Sequence, residues 1–284
     1  FNKELLPMNY NIVSIGEIII AIGLILKAEQ FGGIVQFLSL LCLIPLFTNT
    51  KSDYFFLILI LLCPITFFLI SSPKQQLLFS ISTLIIFIFL YEKADYLKTR
   101  QLKIIFPIVI LVLAINSITK YSFLLSSILI GLYFLSIMIK KKLFVYSIFS
   151  IAFIFCITFL PSWLFRYEYF GTNLFDLVRS PFPLNIYGYE TQHALLSGGS
   201  LSILGIFFPT SLKTFSTSYG PLLILLPLML DKKILKSKLP ILILLLFIIL
   251  VFIFGSNLPR FLFEGYLWLI YLVSKNLKIN SLYF

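Results

Sequence analysis

The feature that most limits what this chain can fold into is a succession of nine apolar runs: residues 31–48, 54–70, 76–91, 104–118, 121–139, 143–161, 217–230, 239–256 and 261–274. A helix that crosses a membrane needs about 20 apolar residues, with a working range of roughly 17–25. Several runs are shorter, so they must extend into their flanks, tilt little or be covered by neighbours. Hydrocarbon offers the backbone N–H and C=O groups no partner. The runs also lack the polar–apolar alternation of barrel strands, so each must be a helix. The 284 residues therefore read as one all-α polytopic transmembrane domain, 1–284. Only 12% of them are charged, about half the share of a soluble domain. A soluble enzyme, a disordered chain, a coiled coil and a disulfide-rich secreted scaffold are excluded.

Charge gives the direction. Lys and Arg number 22 against 11 Asp and Glu. In a soluble chain that excess would point to nucleic acid; here it lies in short clusters between apolar runs and reads as a topology signal. The clusters are Lys93, Lys98, Arg100 and Lys103; Lys140, Lys141 and Lys142; Lys232, Lys233, Lys236 and Lys238; and Lys275 with Lys278. If the runs alternate, all of these share one side, and with Lys51 that side holds 14 of the 22 cations. The other side holds Lys3, Lys27, Lys74, Lys120, Arg166, Arg179, Lys213 and Arg260, although it owns the long loop 162–216. The positive-inside rule then puts the C-terminus in the cytoplasm, and residues 1–30 and the long loop outside. Residues 12–26 (IVSIGEIIIAIGLIL) are short for a span and carry Glu17. Hydropathy allows either a tenth span or a helix lying along the outer surface.

Motifs of soluble enzymes are missing: there is no Walker loop, GxGxxG, CxxC or HExxH. Cys42, Cys63 and Cys156 lie within apolar runs and read as small buried hydrophobes. His193, the one histidine, cannot build a histidine metal cluster. An ionisable group at mid-membrane costs roughly 2.5–3.5 kcal/mol or more. Glu17, Lys120, Arg260 and Glu264 lie inside or at the ends of runs. They either line a polar cavity or, for the long cations, snorkel to the nearer surface. Arg260 and Glu264 are four apart, so they share a helix face and can pair. In the long loop, Arg166 with Glu168, Asp176 with Arg179 and Glu190 with His193 are local surface pairs or site residues. Trp163, Phe165, Tyr167, Tyr169 and Phe170 fit an interfacial belt.

Several stretches carry a resemblance. YNIVSIGEIIIAIGLILKAEQFGGIVQFLSLL (10–41) is similar to a juxtamembrane helix followed by a membrane span. LLCPITFFLISSPKQQLLF (61–79) is similar to a proline-bearing span and a short outer loop. INSITKYSFLL (115–125) carries a "TK" pair between two spans, and FLPSWLFRYEYFGTNLFDLVRSPFPL (159–184) an aromatic–Arg segment after a span ending in Pro. GSNLPRFLFEGYLWL (255–269) is similar to a late Arg-bearing helix start. Together they resemble the GT-C superfamily of membrane glycosyltransferases, of the dolichyl-phosphate-mannose and aminoarabinose-transferase kind.

The resemblance implies a GT-C-like fold: about nine transmembrane helices, with 12–26 as an outer juxtamembrane helix. It implies an activity at the outer face of a bacterial inner membrane. A sugar would pass from a polyprenyl-phosphate donor to a glycan or lipid acceptor of the cell envelope. It also implies a first span and a catalytic Asp upstream of Phe1, so no catalytic residue is assigned. An acceptor hydroxyl needs a base, and the departing lipid phosphate needs cations. Lys74, Lys120, Arg166 and Arg260 are the candidates for that phosphate, and Glu17, Glu190 and His193 form a candidate polar site. The second outer loop reads SSPKQQ (71–76), with no acid to hold a divalent metal. Two rival readings remain. One is an O-antigen-type polysaccharide polymerase or ligase, with Arg166, Arg179 and His193 at work. The other is a transporter or scaffold without enzymatic activity.

Overall fold

A computed structural model describes residues 15–28, 30–47, 51–71, 76–119, 122–170, 207–208, 218–220, 223, 238–254 and 259–276. Among the described residues nearly all are helical and none forms a strand. The helices are α1 (Ile15–Ile25), α2 (Phe31–Leu41), α3 (Lys51–Leu61), α4 (Pro64–Ser71), α5 (Gln76–Glu92), α6 (Thr99–Thr119), α7 (Ser122–Lys140), α8 (Phe144–Phe170), α9 (Lys238–Phe254) and α10 (Phe263–Asn276). Among the described residues, three segments are long and apolar enough to cross a membrane: Thr99–Thr119, Phe123–Lys140 and Phe144–Pro161. The α3 and α4 helices meet the same test only as a pair, bent by 57°. Eight of the nine apolar runs fall on described helices. The run 217–230 lies outside the described residues except at 218–220 and 223.

Two expected boundaries are corrected. The run 54–70 is not one helix, because Pro64 has no N–H to give to the Ile60 carbonyl. The chain breaks there. Thr66 Oγ1 donates to Ile60 O at 2.7 Å, and the Ile65 N–H turns to Ser218 O at 3.2 Å. Pro64 itself sits at the start of α4, where a missing N–H costs least. Conversely, the run 143–161 continues to Phe170. Pro161 removes one hydrogen bond inside α8 without ending it, so residues 162–170 of the expected outer loop are helical. A third correction concerns the cysteines: Cys63 is buried, but Cys42 and Cys156 are exposed. An apolar run bounds a membrane helix without saying which of its faces meets lipid.

The chain divides into two compact units, each discontinuous in sequence. One comprises residues 1–18 and 92–200, and its described core is α6, α7 and α8. Thr99 opens α6 after Lys98, whose N–H is taken by the Gln101 side chain at 3.1 Å, half of a capping box. Phe106 and Phe134 meet edge to face at 5.0 Å between α6 and α7. The starts of α6 and α8 lie together, since Tyr146 Oη donates to Lys103 O at 2.6 Å and Lys103 Nζ stands 5.8 Å over the Tyr146 ring. Lys141 Nζ reaches Asp95 O at 2.9 Å from the turn after α7. That turn uses Lys142 at φ +59°, where Leu143 N donates to Met138 O and Lys142 N to Ile139 O. This is a Schellman stop with lysine in the place glycine usually takes.

The other unit comprises residues 19–91 and 201–284. Lys27, at φ +54°, ends α1 with the same pair of bonds, Ala28 N to Gly23 O and Lys27 N to Leu24 O. The unit is organised around α10, whose residues from Phe263 to Ser274 are buried apart from Leu269. Gly265 is required there. A Cβ at this position would lie 2.9 Å from the Phe247 ring, so its absence lets α9 approach closely. Along the α5 side, Thr83 meets Glu264, Phe87 meets Trp268 and Tyr91 meets Tyr271. Residue numbers rise together on both helices at helical spacing, so α5 and α10 run parallel. Gln36 of α2 ties the opposite part of the unit. Its Nε2 donates to Leu69 O at 2.7 Å and its Oε1 accepts the Leu77 N–H at 2.6 Å.

Candidate functional site

Membrane interiors are built of side chains that need no partner, so polar groups inside them mark where chemistry can occur. In the α10 unit they gather at the first turn of α10. Glu264 is 3% exposed, and its Oε1 lies 2.7 Å from Thr83 Oγ1 on α5. The same hydroxyl lies 2.8 Å from Ser80 O. Ser80 is fully buried, and its own hydroxyl has no partner among the described residues. The N-terminal end of a helix favours an anion, and Glu264 occupies the first turn.

A second polar group flanks this turn. The Cys63 thiol is buried at the α3–α4 break, beside Thr66 and Tyr266. The Tyr219 and Tyr266 rings are 4.9 Å apart. Gly220 follows at φ +87°, a conformation glycine reaches without strain, and its N–H meets Ser218 Oγ at 3.3 Å. At the far end of α10, Asp53 Oδ2 stands 3.9 Å from Lys275 Nζ. Lys275 also lies 5.5 Å over the Tyr271 ring. Each charge suits its helix: Asp53 opens α3 and Lys275 closes α10. Among the described residues no group of three or more His, Cys, Asp or Glu side chains converges to hold a metal ion.

The residues singled out from sequence are placed as follows. Lys74, Lys120, Glu190 and His193 lie outside the described residues, as do Asp176 and Arg179. Glu17 falls on α1, Arg166 on α8 and Arg260 on the 3-10 turn Pro259–Leu262, but their side chains lie outside the described set. Glu168 is exposed near the end of α8.

One family profile, described as the DUF1420 N-terminal domain, matches residues 8–284. The chain belongs to that family. No curated protein and no solved structure matches it. The DUF1420 match runs through all ten described helices, so the α3–α4 break and the buried carboxylate are both parts of this domain. Spacing offers Arg260, one turn away, as a partner of Glu264, and the Arg260 side chain lies outside the described residues. In the DUF1420 fold Thr83 holds Glu264 from 181 residues away. Ser80, Ser82 and Thr83, clustered near the start of a largely apolar run, are the signal that could have found it. Asp53 was overlooked because it reads as an ordinary helix-opening acid.

Proposed function

We propose that this DUF1420 domain is a membrane glycosyltransferase of the GT-C kind. It moves a sugar from a polyprenyl-phosphate donor to a cell-envelope glycan or lipid at the outer face of a bacterial inner membrane. The observation that carries the reading is α1. The resemblance over 10–41 calls for a short juxtamembrane helix, 12–26, before a span. Among the described residues, Ile15–Ile25 form a helix of their own. The αL residue Lys27 ends it before α2 begins. The Pro64 break in 61–79 supports the likeness of that stretch to a proline-bearing span.

The parallel run of α5 and α10 supports nine crossings. Each crossing reverses the chain, so an odd number must separate two parallel helices. The helices α6, α7, α8 and α9 supply four, and 217–230 is the proposed fifth. The long loop and the ends bearing Lys74, Lys120 and Arg260 then share the outer side, and the lysine-rich ends face the cytoplasm. There an acceptor hydroxyl attacks the anomeric carbon and a carboxylate takes its proton. The departing lipid phosphate needs cations, and the resemblance offers Lys74, Lys120, Arg166 and Arg260 as candidates for that role.

The test is transfer by the full-length protein in proteoliposomes, with radiolabelled polyprenyl-phosphate sugars as donors and envelope extract as acceptor. Label should move to glycan or lipid. Lys120→Ala and Arg260→Ala should each lower the rate by about 10²–10³. No transfer from any donor of this class overturns the reading, and variants with full activity overturn the phosphate assignment.

A further inference from the structure

We propose that the basic end of the α6–α8 bundle binds an anionic phospholipid, with lysines of two loops at its headgroup and α8 along its acyl chain. The proposal rests on these three helices crossing a membrane and not on sugar transfer. Residues 92–103 and 140–146 lie at this end, where α6 begins, α7 stops and α8 begins. They carry seven cations against two carboxylates, Glu92 and Asp95. The positive-inside rule asks only that such charges stand on one side of a membrane. Here they are also gathered, by contacts between segments 46 and 43 residues apart. Lys141 Nζ donates to Asp95 O, Tyr146 Oη donates to Lys103 O, and Lys103 Nζ stands over the Tyr146 ring.

The fastened loops leave Lys98, Arg100, Lys140 and Lys142 exposed. Lys142 holds φ +59°, where glycine would be unstrained. Glycine would serve the turn, whereas lysine also keeps a cation at its exposed corner. Basic surface at the ends of membrane helices attracts anionic headgroups. Apolar surface for the rest of a lipid lies next to it. Of the three spanning segments, Phe144–Pro161 is the least covered by protein. Its exposed residues Phe144, Val145, Ile148 and Phe149 share one face of α8, starting two residues after Lys142. Tyr96, 88% exposed in the turn that Lys141 holds, suits the headgroup level, where amphipathic rings gather. A soluble anion would match the cations and leave the apolar strip unused. An anionic phospholipid matches both.

The test places the full-length protein in phosphatidylcholine vesicles with a trace of photoactivatable phosphatidylglycerol or, separately, photoactivatable phosphatidylcholine. Each probe bears a diazirine near the glycerol end of its acyl chain, and adducts on residues 144–149 are read by mass spectrometry. Phosphatidylglycerol should label this segment about tenfold more than phosphatidylcholine, and Lys140→Gln and Lys142→Asn should each lower that excess about fivefold, the share of one cation at an anionic surface. Lys140→Arg should retain it. Asparagine tolerates the Lys142 backbone, so Lys142→Asn should unfold no earlier than wild type, and its lost preference is then not a folding defect. Equal labelling by the two lipids in wild type overturns the site. So does an excess that both charge-removing variants retain, or one that Lys140→Arg loses. Loss of the excess to inorganic phosphate, but not to chloride at equal ionic strength, would make the occupant a soluble anion and overturns the lipid.

Discussion

Phe87 and Trp268 stack with their ring planes 4° apart and their centroids at 5.2 Å. Phe247 covers Trp268 from α9 at 5.0 Å, so the indole is held from two helices. Lipid is as apolar as these rings, and such contacts hold a membrane bundle by close packing rather than by release of water.

Truncating Trp268 should therefore be costly. Trp268→Ala should lower stability by about 3–5 kcal/mol. Trp268→Phe should cost less than that, because one ring still fills part of the site and the indole Nε1 has no described partner to lose. Unfolding of the detergent-solubilised protein by titrated denaturing detergent measures both. Equal losses would mean that the nitrogen, not the ring, is what matters.

Gln36 should resist every substitution, because it is fully buried and serves two backbones at once. Gln36→Leu leaves Leu69 O and the Leu77 N–H to find new partners, at about 1–3 kcal/mol for each group left unpaired. Gln36→Glu keeps an acceptor for Leu77 but, as a carboxylate, offers Leu69 no hydrogen. Both should be destabilised in the same assay, with faster hydrogen exchange at the Leu77 amide. Wild-type exchange there in Gln36→Leu would refute the bridge.

Much of this architecture is legible in the amino-acid order, because hydrocarbon forces apolar runs into helices. Starts and stops are set locally too, although hydropathy alone hid them: Pro64 splits the run 54–70, and Gln101 caps the entry to α6. Less legible is anything set by two distant segments. The Lys142 stop needs the actual backbone geometry, since glycine is the usual signal for it. Thr83 meets Glu264 from another helix, 181 residues away, and no local spacing announces that contact. The outward faces of Cys42 and Cys156 depend on neighbours that an apolar run does not name.

Lys142 holds φ +59°, a conformation that costs a residue with a Cβ about 1–2 kcal/mol. Lys142→Gly should gain about 1 kcal/mol, and Lys142→Asn should gain less while removing the same charge. Lys142→Val should lose stability, because a branched side chain fits this backbone worst. If Gly, Asn and Val variants shift stability equally, the charge and not the backbone governs this turn.

Asp53 and Lys275 should be energetically coupled. A double-mutant cycle with Asp53→Asn and Lys275→Gln should give an interaction of about 0.5–3 kcal/mol. Breaking the pair from the lysine side should hurt more, because it leaves the fully buried Asp53 charge behind. Additive losses would mean that the two charges do not sense each other.

The account stands on α5 and α10 crossing the membrane in the same sense, with a further crossing between residues 217 and 230. Reporter fusions after Lys142, after Phe170 and after Lys238 read this directly. The expected result is reporter activity in the cytoplasm, outside and in the cytoplasm respectively. Fusions after Phe170 and after Lys238 reporting the same compartment would contradict it.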